Sequence, residues 1–132
     1  MTSIFNIALS GLNAASAHIV ASSNNIANSS TTRTTKVGAT ENQGPYIPQD
    51  VIQTSNALGG VKASTEASKK ENIRLYDPSN ADAGADGIVE LPNIDIAEEL
   101  VKQDNAKFAY EANLKTIQTA SQLQKSLIDI FV

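Results

Sequence analysis

The strongest constraint in this sequence is a helical repeat of apolar and small side chains in its first 28 residues. Seven positions, spaced alternately by three and four, are apolar with one exception: Phe5, Ala8, Leu12, Ala15, Ile19, Ser22 and Ile26. That spacing places all seven on one side of an α-helix and is typical of a helix that packs along another. We therefore predict a helix from about Ser3 to about Asn28, ended by the polar run 28–32.

A second, longer helix is predicted from about Asp95 to the end of the sequence. Asp95, with Glu98 three residues later, resembles a capping box, and Pro92 stands just before it. Two neighbouring lines of mainly apolar side chains, which we call seams, run along this helix. The first comprises Tyr110, Leu114, Ile117, Ser121, Gln124, Ile128 and Phe131. The second comprises Ala109, Ala112, Thr116, Ala120, Leu123, Leu127 and Ile130. Two adjoining seams on one helix predict partners on more than one side.

The middle of the chain, residues 31–92, differs in composition from both ends. It is rich in Gly, Ser, Thr and Asn and holds all four prolines. Short β-type runs occur at 51–52, 61–64, 73–76 and 88–91, with turn signals at Gly59-Gly60 and Asp86-Gly87. Strands so few and short predict only a marginal sheet.

Together these segments predict a mainly α fold. Long N- and C-terminal helices form a coiled-coil-like pair, and a small irregular or β region lies between them. We divide the chain into an N-terminal helix (1–30), a loop-rich region with short strands (31–92) and a C-terminal helix (93–132). Because two helices hide only one face of each other, the remaining apolar surface is expected to meet other subunits.

Composition excludes several classes of function. The net charge is −4 and the basic residues are scattered, so no basic stripe is available for nucleic acid or anionic lipid. There is no cysteine, which excludes disulfides and thiolate metal sites. The N-terminus lacks the charged and apolar regions of a secretory signal peptide, and no uninterrupted apolar run reaches the roughly 20 residues of a membrane span.

The sequence offers little for catalysis. Its one histidine, His18, stands in a predicted helix that contains no Asp or Glu to orient it, so a packed or surface histidine is the simpler interpretation. The acidic loop around Asp82 and Asp86 matches part of a calcium loop, but Gly84 stands where a side-chain oxygen is needed and Asn93 where a bidentate Glu is needed. We therefore expect no catalytic residue, no metal and no cofactor.

Two motifs near the ends of the chain carry a family resemblance. Residues 22–28, Ser-Ser-Asn-Asn-Ile-Ala-Asn, are similar to the Asn-Asn-Ile-Ala-Asn signature of flagellar rod and hook proteins. Residues 108–113, Phe-Ala-Tyr-Glu-Ala-Asn, resemble the C-terminal Ser-Tyr-Glu-Ala-Asn stretch of the same family. Between them, segments 59–62, 76–83 and 87–95 resemble the proximal-rod members of the flagellar basal-body rod protein family.

The resemblance is nearly end to end but has two departures. Ile47 and Pro48 follow Gly-Pro-Tyr where the family usually has basic residues, and Thr-Arg-Thr-Thr at 32–35 replaces a Thr-Gly-Tyr pattern. These changes concern loops and not the terminal helices.

The resemblance implies a structural subunit and not an enzyme. Such subunits leave the cell unfolded through the flagellar type III export apparatus, without a cleaved signal, and assemble into a helical tube that crosses the periplasm and transmits torque. Implied partners are copies of the chain, other rod proteins, and proteins at the junction of membrane ring and export gate, with no nucleic acid and no direct membrane span. Expected interface residues are Phe5, Leu12, Ile19, Asn24, Asn25, Ile26, Asn28, Tyr110, Asn113, Leu114, Ile117, Leu123, Leu127, Ile128 and Phe131.

Three alternatives remain open from the sequence. The chain could be another axial subunit, of distal-rod or hook type, from the same export system. It could be a small helical adaptor that folds as a monomer and binds a partner helix. The third alternative is a small hydrolase or metal-dependent enzyme that uses Asp77, Asp82 and Asp86.

Overall fold

The computed structural model describes residues 2–32, 46–57 and 59–131. Its elements are, in chain order, α1 (Thr2–Ala27), β1 (Gln49–Ser55), β2 (Val61–Ala67), β3 (Ile73–Tyr76), β4 (Ile88–Leu91) and α2 (Ile96–Phe131). The predicted fold, two long terminal helices with a small β region between them, is confirmed. The sequence departures at 33–35 lie outside the described residues, and so does the side chain of Phe131.

The two helices pack antiparallel along small side chains. Near one end, Gln103 Nε2 donates to Ser23 Oγ at 2.9 Å. Further along, a Cβ at Gly11 would lie 2.6 Å from Oδ1 of Asn113, so the helices approach closely at that point. The buried side chains of the pair are mostly alanines: Ala8, Ala14, Ala15, Ala21, Ala106 and Ala120. Small residues therefore set the separation of the helices, as the sequence predicted.

The start of α2 is capped by the predicted residue. Asp95 Oδ1 accepts hydrogen bonds from the backbone N–H groups of Ala97 at 2.9 Å and of Glu98 at 3.3 Å. The reciprocal half of the capping box is not formed, because Glu98 pairs instead with Lys70 at 2.8 Å and Lys102 at 3.0 Å. The cap satisfies two of the free N–H groups at the helix start.

Strands β1 and β2 form an antiparallel hairpin that lies along α1. Its turn contains Gly59 and Gly60, whose φ angles of 87° and 89° favour glycine. Ser10 Oγ accepts the backbone N–H of Val61 at 3.1 Å, and His18 Nε2 lies 2.8 Å from Nε2 of Gln53. The histidine therefore takes part in packing the hairpin on the helix.

Strands β3 and β4 form a second two-stranded antiparallel sheet. Gly87, with a φ of 71°, ends the connection between them, and its carbonyl accepts the N–H of Asp77 at 2.9 Å. Val89 of β4 is fully buried, whereas every residue of β3 is exposed. Within the described residues, the backbones of these strands stay apart from the helices and the β1–β2 hairpin.

Helix α1 is long and apolar enough to cross a membrane by length and composition alone. The sequence analysis considered uninterrupted apolar runs, and α1 contains none of that length, so the expectation of no membrane span stays a prediction. Yet α1 packs on both α2 and the β1–β2 hairpin, and it buries the polar side chains of Ser22 and Asn25. In this structure the helix therefore forms part of the protein's own core.

Candidate assembly interface

The predicted seam of α1 faces the inside of the fold. Its small members Ala8, Ala15 and Ser22 are buried against the rest of the chain. The large members Phe5, Leu12, Ile19 and Ile26 are half-buried and reach the edge of the helix pair. A large part of this seam therefore has its partner within the chain.

The opposite side of α1 carries apolar residues that the sequence analysis missed. Leu9 and Val20 are eleven residues apart, which places them on one side of the helix about three turns apart, and both are more than half exposed. Between Thr2 and Ala27 the sequence has no Asp, Glu, Lys or Arg. An uncharged helix over such a length is a signal that could have marked this face as a second contact surface.

The face of α2 that packs on α1 does not coincide with either of the two predicted seams. The face toward α1 runs through Ala106, Asn113 and Ala120, with Tyr110 and Ile117 at its sides. It therefore combines members of both seams with two residues, Ala106 and Asn113, that belong to neither.

Large apolar side chains from both seams remain uncovered. Leu114, Leu123, Leu127 and Ile128 are between 40% and 60% exposed. The sequence predicted that apolar surface would be left over after the helices pair, and the single chain does leave it exposed.

Part of this surface is an open apolar groove of about 650 Å³. It lies where the first turn of α1 meets the last part of α2. Its lining comprises Ile4, Ala112, Lys115, Thr116, Thr119, Ala120, Leu123 and Leu127. Small side chains between larger ones give the ridge-and-groove relief that a packed helix needs.

Asn25, predicted at the subunit interface, makes internal contacts within the single chain. Its side chain is 1% exposed. Nδ2 donates to the carbonyl of Gln49 at 2.9 Å, while Oδ1 accepts the N–H of Gln49 at 2.9 Å and the hydroxyl of Tyr46 at 2.8 Å. The carboxamide thus pairs with the backbone at the start of β1 as a neighbouring strand would, an internal role that sequence reasoning missed.

Two other asparagines of the motifs, Asn28 and Asn113, bond to nearby helix carbonyls. Asn28 Nδ2 donates to the carbonyl of Asn24 at 2.8 Å at the end of α1. Asn113 Nδ2 donates to the carbonyl of Ala109 at 2.8 Å while its carboxamide lies against Gly11. One chain cannot display contacts between subunits, so the interface role of these residues stays a prediction.

A charged cluster joins the base of the hairpin to α2. Lys102 Nζ lies 2.7 Å from Glu99, 3.0 Å from Glu98 and 3.6 Å from Asp50, and Lys70 lies 2.8 Å from Glu98. Hydrogen bonds from Lys70 and then Lys102 lower the pKa of Glu98 to about 2. Burial acts to lower the pKa of Lys102, but its hydrogen bonds to Glu99 and Glu98 outweigh burial and raise it.

Glu99 is the buried member of this cluster, with 5% of its surface exposed. Its Oε1 is held by Lys102, while Oε2 has no hydrogen-bond partner among the described residues. The pKa of Tyr46 is raised by burial and by the nearby charge of Glu99. The sequence analysis did not single out Glu99, although Lys102 three residues later was a signal of pairing.

The carboxylates of the acidic loop take part in shaping its turns. Asp77 Oδ1 accepts the hydroxyl of Ser79 at 2.6 Å, which lowers the pKa of Asp77. Asp82 Oδ2 accepts the hydroxyl of Thr32 at 2.6 Å, and Asp86 Oδ1 accepts a backbone N–H two residues on at 3.2 Å. Across residues 2–32, 46–57 and 59–131, no group of three acidic, His or Cys side chains is arranged to hold a metal ion.

Comparison with known proteins places these features in context. Residues 85–130 match the family model described as the flagellar basal body rod FlgEFG protein C-terminal region. A protein of Borreliella burgdorferi is 34% identical, over 97% of this chain and 95% of its own length. Proteins of Salmonella typhimurium (32% identical, 93% and 92% covered) and Bacillus subtilis (31%, 92% and 93%) are also similar. All three are named flagellar basal-body rod protein FlgC.

Proposed function

This chain belongs to the FlgC family of flagellar basal-body rod proteins and is a structural rod subunit, and we propose that its helices pack into a helical tube that transmits torque. In this proposal the tube is the proximal rod and crosses the periplasm. The chain reaches it through the flagellar type III export apparatus without a cleaved signal.

The uncovered apolar surface of α2 is the observation that carries this proposal. Leu114, Leu123, Leu127 and Ile128 would each gain roughly 1 kcal/mol if the exposed half of the side chain were buried by a neighbouring subunit. Several such residues along one helix supply enough driving force for assembly, and the uncharged outer side of α1 adds a second contact surface.

Torque transmission follows from close packing. Interdigitated side chains in a dense interface have discrete arrangements and resist continuous deformation under shear. In the assembled rod, the alanine-rich contact would keep α1 and α2 of each subunit close together, while neighbouring subunits supply the remaining packing. In the proposed rod, load passes between subunits through the residues predicted at the interface, including Phe5, Leu12 and Ile19.

The proposed partners are those expected of an axial subunit: copies of the chain, other rod proteins, proteins at the junction of membrane ring and export gate, and the export apparatus. No catalytic role is proposed, because the carboxylates of Asp77 and Asp86 accept local hydrogen bonds in the loop and that of Asp82 accepts one from Thr32. Calorimetric titration with calcium tests the metal-enzyme alternative, and heat from a saturable site in that loop would support it.

Leu123→Asp tests the assembly proposal. Leu123 is 60% exposed in the single chain, so a carboxylate there costs the monomer little beyond helix propensity. In the rod the same carboxylate would be desolvated in every subunit. We expect cells that secrete the variant but contain no completed rod in electron micrographs of basal bodies.

Gln122→Asp is the matched control, because it places the same side chain one position away on the exposed polar face. It should assemble. Complete rods with Leu123→Asp, or equal failure of both variants, would contradict the assembly surface on α2.

The apolar groove also suits a monomeric adaptor that binds one partner helix. The two functions differ in how the purified protein behaves as its concentration rises. A rod subunit gains helical order by self-association, whereas an adaptor keeps the same circular dichroism melt at every concentration.

A further inference from the structure

The base of the β1–β2 hairpin is held by both helices at once. On the side of α1, Asn25 bonds both backbone groups of Gln49 and the hydroxyl of Tyr46. On the side of α2, Lys102 reaches Asp50 at 3.6 Å. Two anchors of different chemistry therefore meet within a few residues of the hairpin.

The two anchors also connect to each other. Tyr46 bonds to Asn25 of α1 and lies close enough to Glu99 of α2 for that carboxylate to raise its pKa. Glu99 in turn holds Lys102 at 2.7 Å. The hydrogen bonds of Asn25 and the ion pairs of Lys102 therefore lie near each other at the hairpin base only when both helices stand side by side.

The contacts differ in strength. The carboxamide of Asn25 is buried and makes three hydrogen bonds, so leaving its partners unpaired is costly. The ion pair between Asp50 and Lys102 is largely exposed and is weak by itself. Asn25 is therefore the main anchor of the hairpin, and Lys102 makes the position of the hairpin depend on α2 as well.

We propose that these residues form a clamp that fixes the β1–β2 hairpin only after α1 and α2 have paired, with Asn25 and Lys102 as its positioning residues. When the helices are apart, Asp50 loses Lys102, and Tyr46 loses the neighbouring charge of Glu99. Gln49 keeps its partner only while α1 stays helical around Asn25, and an unpaired helix is marginal in water, so the hairpin then loses its fixed position. Pairing of the helices and placement of the hairpin are then one cooperative event. This goes beyond the proposed assembly function and does not depend on it.

Forced pairing of the helices tests the clamp. The sequence has no cysteine, so Ser23→Cys with Gln103→Cys can be joined by a short bismaleimide at a point where the native side chains are 2.9 Å apart. Hydrogen exchange is then measured on the dilute full-length protein, joined and unjoined. We expect amides of Gln49–Ser55 and Val61–Ala67 to gain protection together with both helices when the linker is present.

Variants in the joined protein test each anchor. Asn25→Ala should raise exchange in the hairpin by roughly tenfold or more while the helices remain protected. Asp50→Asn should give a smaller rise, because it cuts the contact to α2 without leaving Glu99 unpaired. Lys102→Arg should preserve protection, since arginine keeps the charge, and Asn24→Ala is the control at a neighbouring exposed position.

Three results would overturn the clamp. The first is a hairpin that is protected in the dilute, unjoined protein while the helices exchange freely. The second is a hairpin that still exchanges freely after the helices have been joined and protected. The third is hairpin protection unchanged by Asn25→Ala in the joined protein.

Discussion

At the scale of single residues, Gly11 sets the distance between α1 and α2. A Cβ at this position would lie 2.6 Å from Oδ1 of Asn113, whose carboxamide is held by a hydrogen bond to the carbonyl of Ala109. Only glycine allows the two backbones to approach this closely without displacing that side chain. The sequence analysis missed this contact, because Gly11 belongs to neither of the patterns that it followed.

Gly11→Leu should therefore destabilise the folded protein. Overpacking a tight contact costs roughly 1–3 kcal/mol, partly offset by the better helix propensity of leucine. Urea unfolding, at a concentration where the helices are folded, measures the loss. Asn113→Ala in the same chain should recover part of it, because it removes the atoms that leucine would meet, and an unrelieved penalty in the double variant would contradict this contact.

A second effect of a single residue is the pH dependence that Glu98 gives to the stability of the folded chain. Its pKa in the folded chain is about 2, below its ordinary value of 4.5, because Lys70 and Lys102 bond its carboxylate. A lowered pKa means that the stabilisation is fully present above pH 4.5 and is lost as pH falls toward 2. Thermal melts from pH 6 to pH 2 should show a smaller decline for Glu98→Gln than for the parent. Equal declines would indicate that these exposed pairs contribute nothing.

At the scale of elements, the spacing of apolar residues predicted both helices, and the turn signals Gly59-Gly60 and Asp86-Gly87 located the two turns. The bounds of α1 and α2 lie within a residue or so of those expected from the caps Asp95 and Asn28. The face on which α2 meets α1 could not be predicted, because two adjoining seams of similar character offer no preference. The close approach at Gly11 determines which face of α2 meets α1, and this approach depends on the side chains of both helices.

The candidate site was predictable only in part for a similar reason. The leftover apolar residues of α2 follow from local spacing, which a sequence displays. The cluster around Lys102 of α2 brings in Asp50 from the hairpin and Lys70 from the segment after β2, which are far from Lys102 in the chain. Contacts of that kind have no periodic signal, and neither does the buried pairing of Asn25 with the backbone of Gln49.

At the scale of the whole molecule, the core of one chain is thin. The described buried apolar residues are six alanines and Val89, and no large side chain from either helix is among them. Alanine buries little area, and isolated helices are marginal in water without tertiary packing. One chain therefore has few apolar contacts to hold its helices together.

We expect the dilute protein to have frayed helices. Amides before Ser29 and after Asp104 should exchange rapidly at micromolar concentration, measured by hydrogen exchange with mass spectrometry. Protection should rise with concentration, because neighbouring subunits supply the missing contacts. Strong protection of both stretches in the dilute protein would count against a fold completed by assembly.

Ile117→Asp tests the helix pair and the assembly together. Ile117 is half-buried beside α1, between the internal contact of α2 and its exposed apolar side. Fully burying an isoleucine side chain is worth roughly 1.5–3 kcal/mol, and an unpaired carboxylate adds a desolvation penalty of several kcal/mol or forces protonation. In a helical tube that defect recurs in every subunit and weakens each contact with its neighbours.

Export should survive this change, because in the proposed export route the chain passes unfolded, and Ile117 is far from the N-terminal region. The expected result is secreted subunit in the medium, no completed rod in electron micrographs and no swimming. Gln118→Asp adds the same carboxylate one residue away, where the side chain is exposed, and it should assemble. Because Gln118→Asp loses at least as much helix propensity as Ile117→Asp, a failure confined to Ile117→Asp isolates burial. Normal swimming with Ile117→Asp would mean that this side of α2 is not packed in the rod, and failure of both variants would mean that added charge, not burial, blocks assembly.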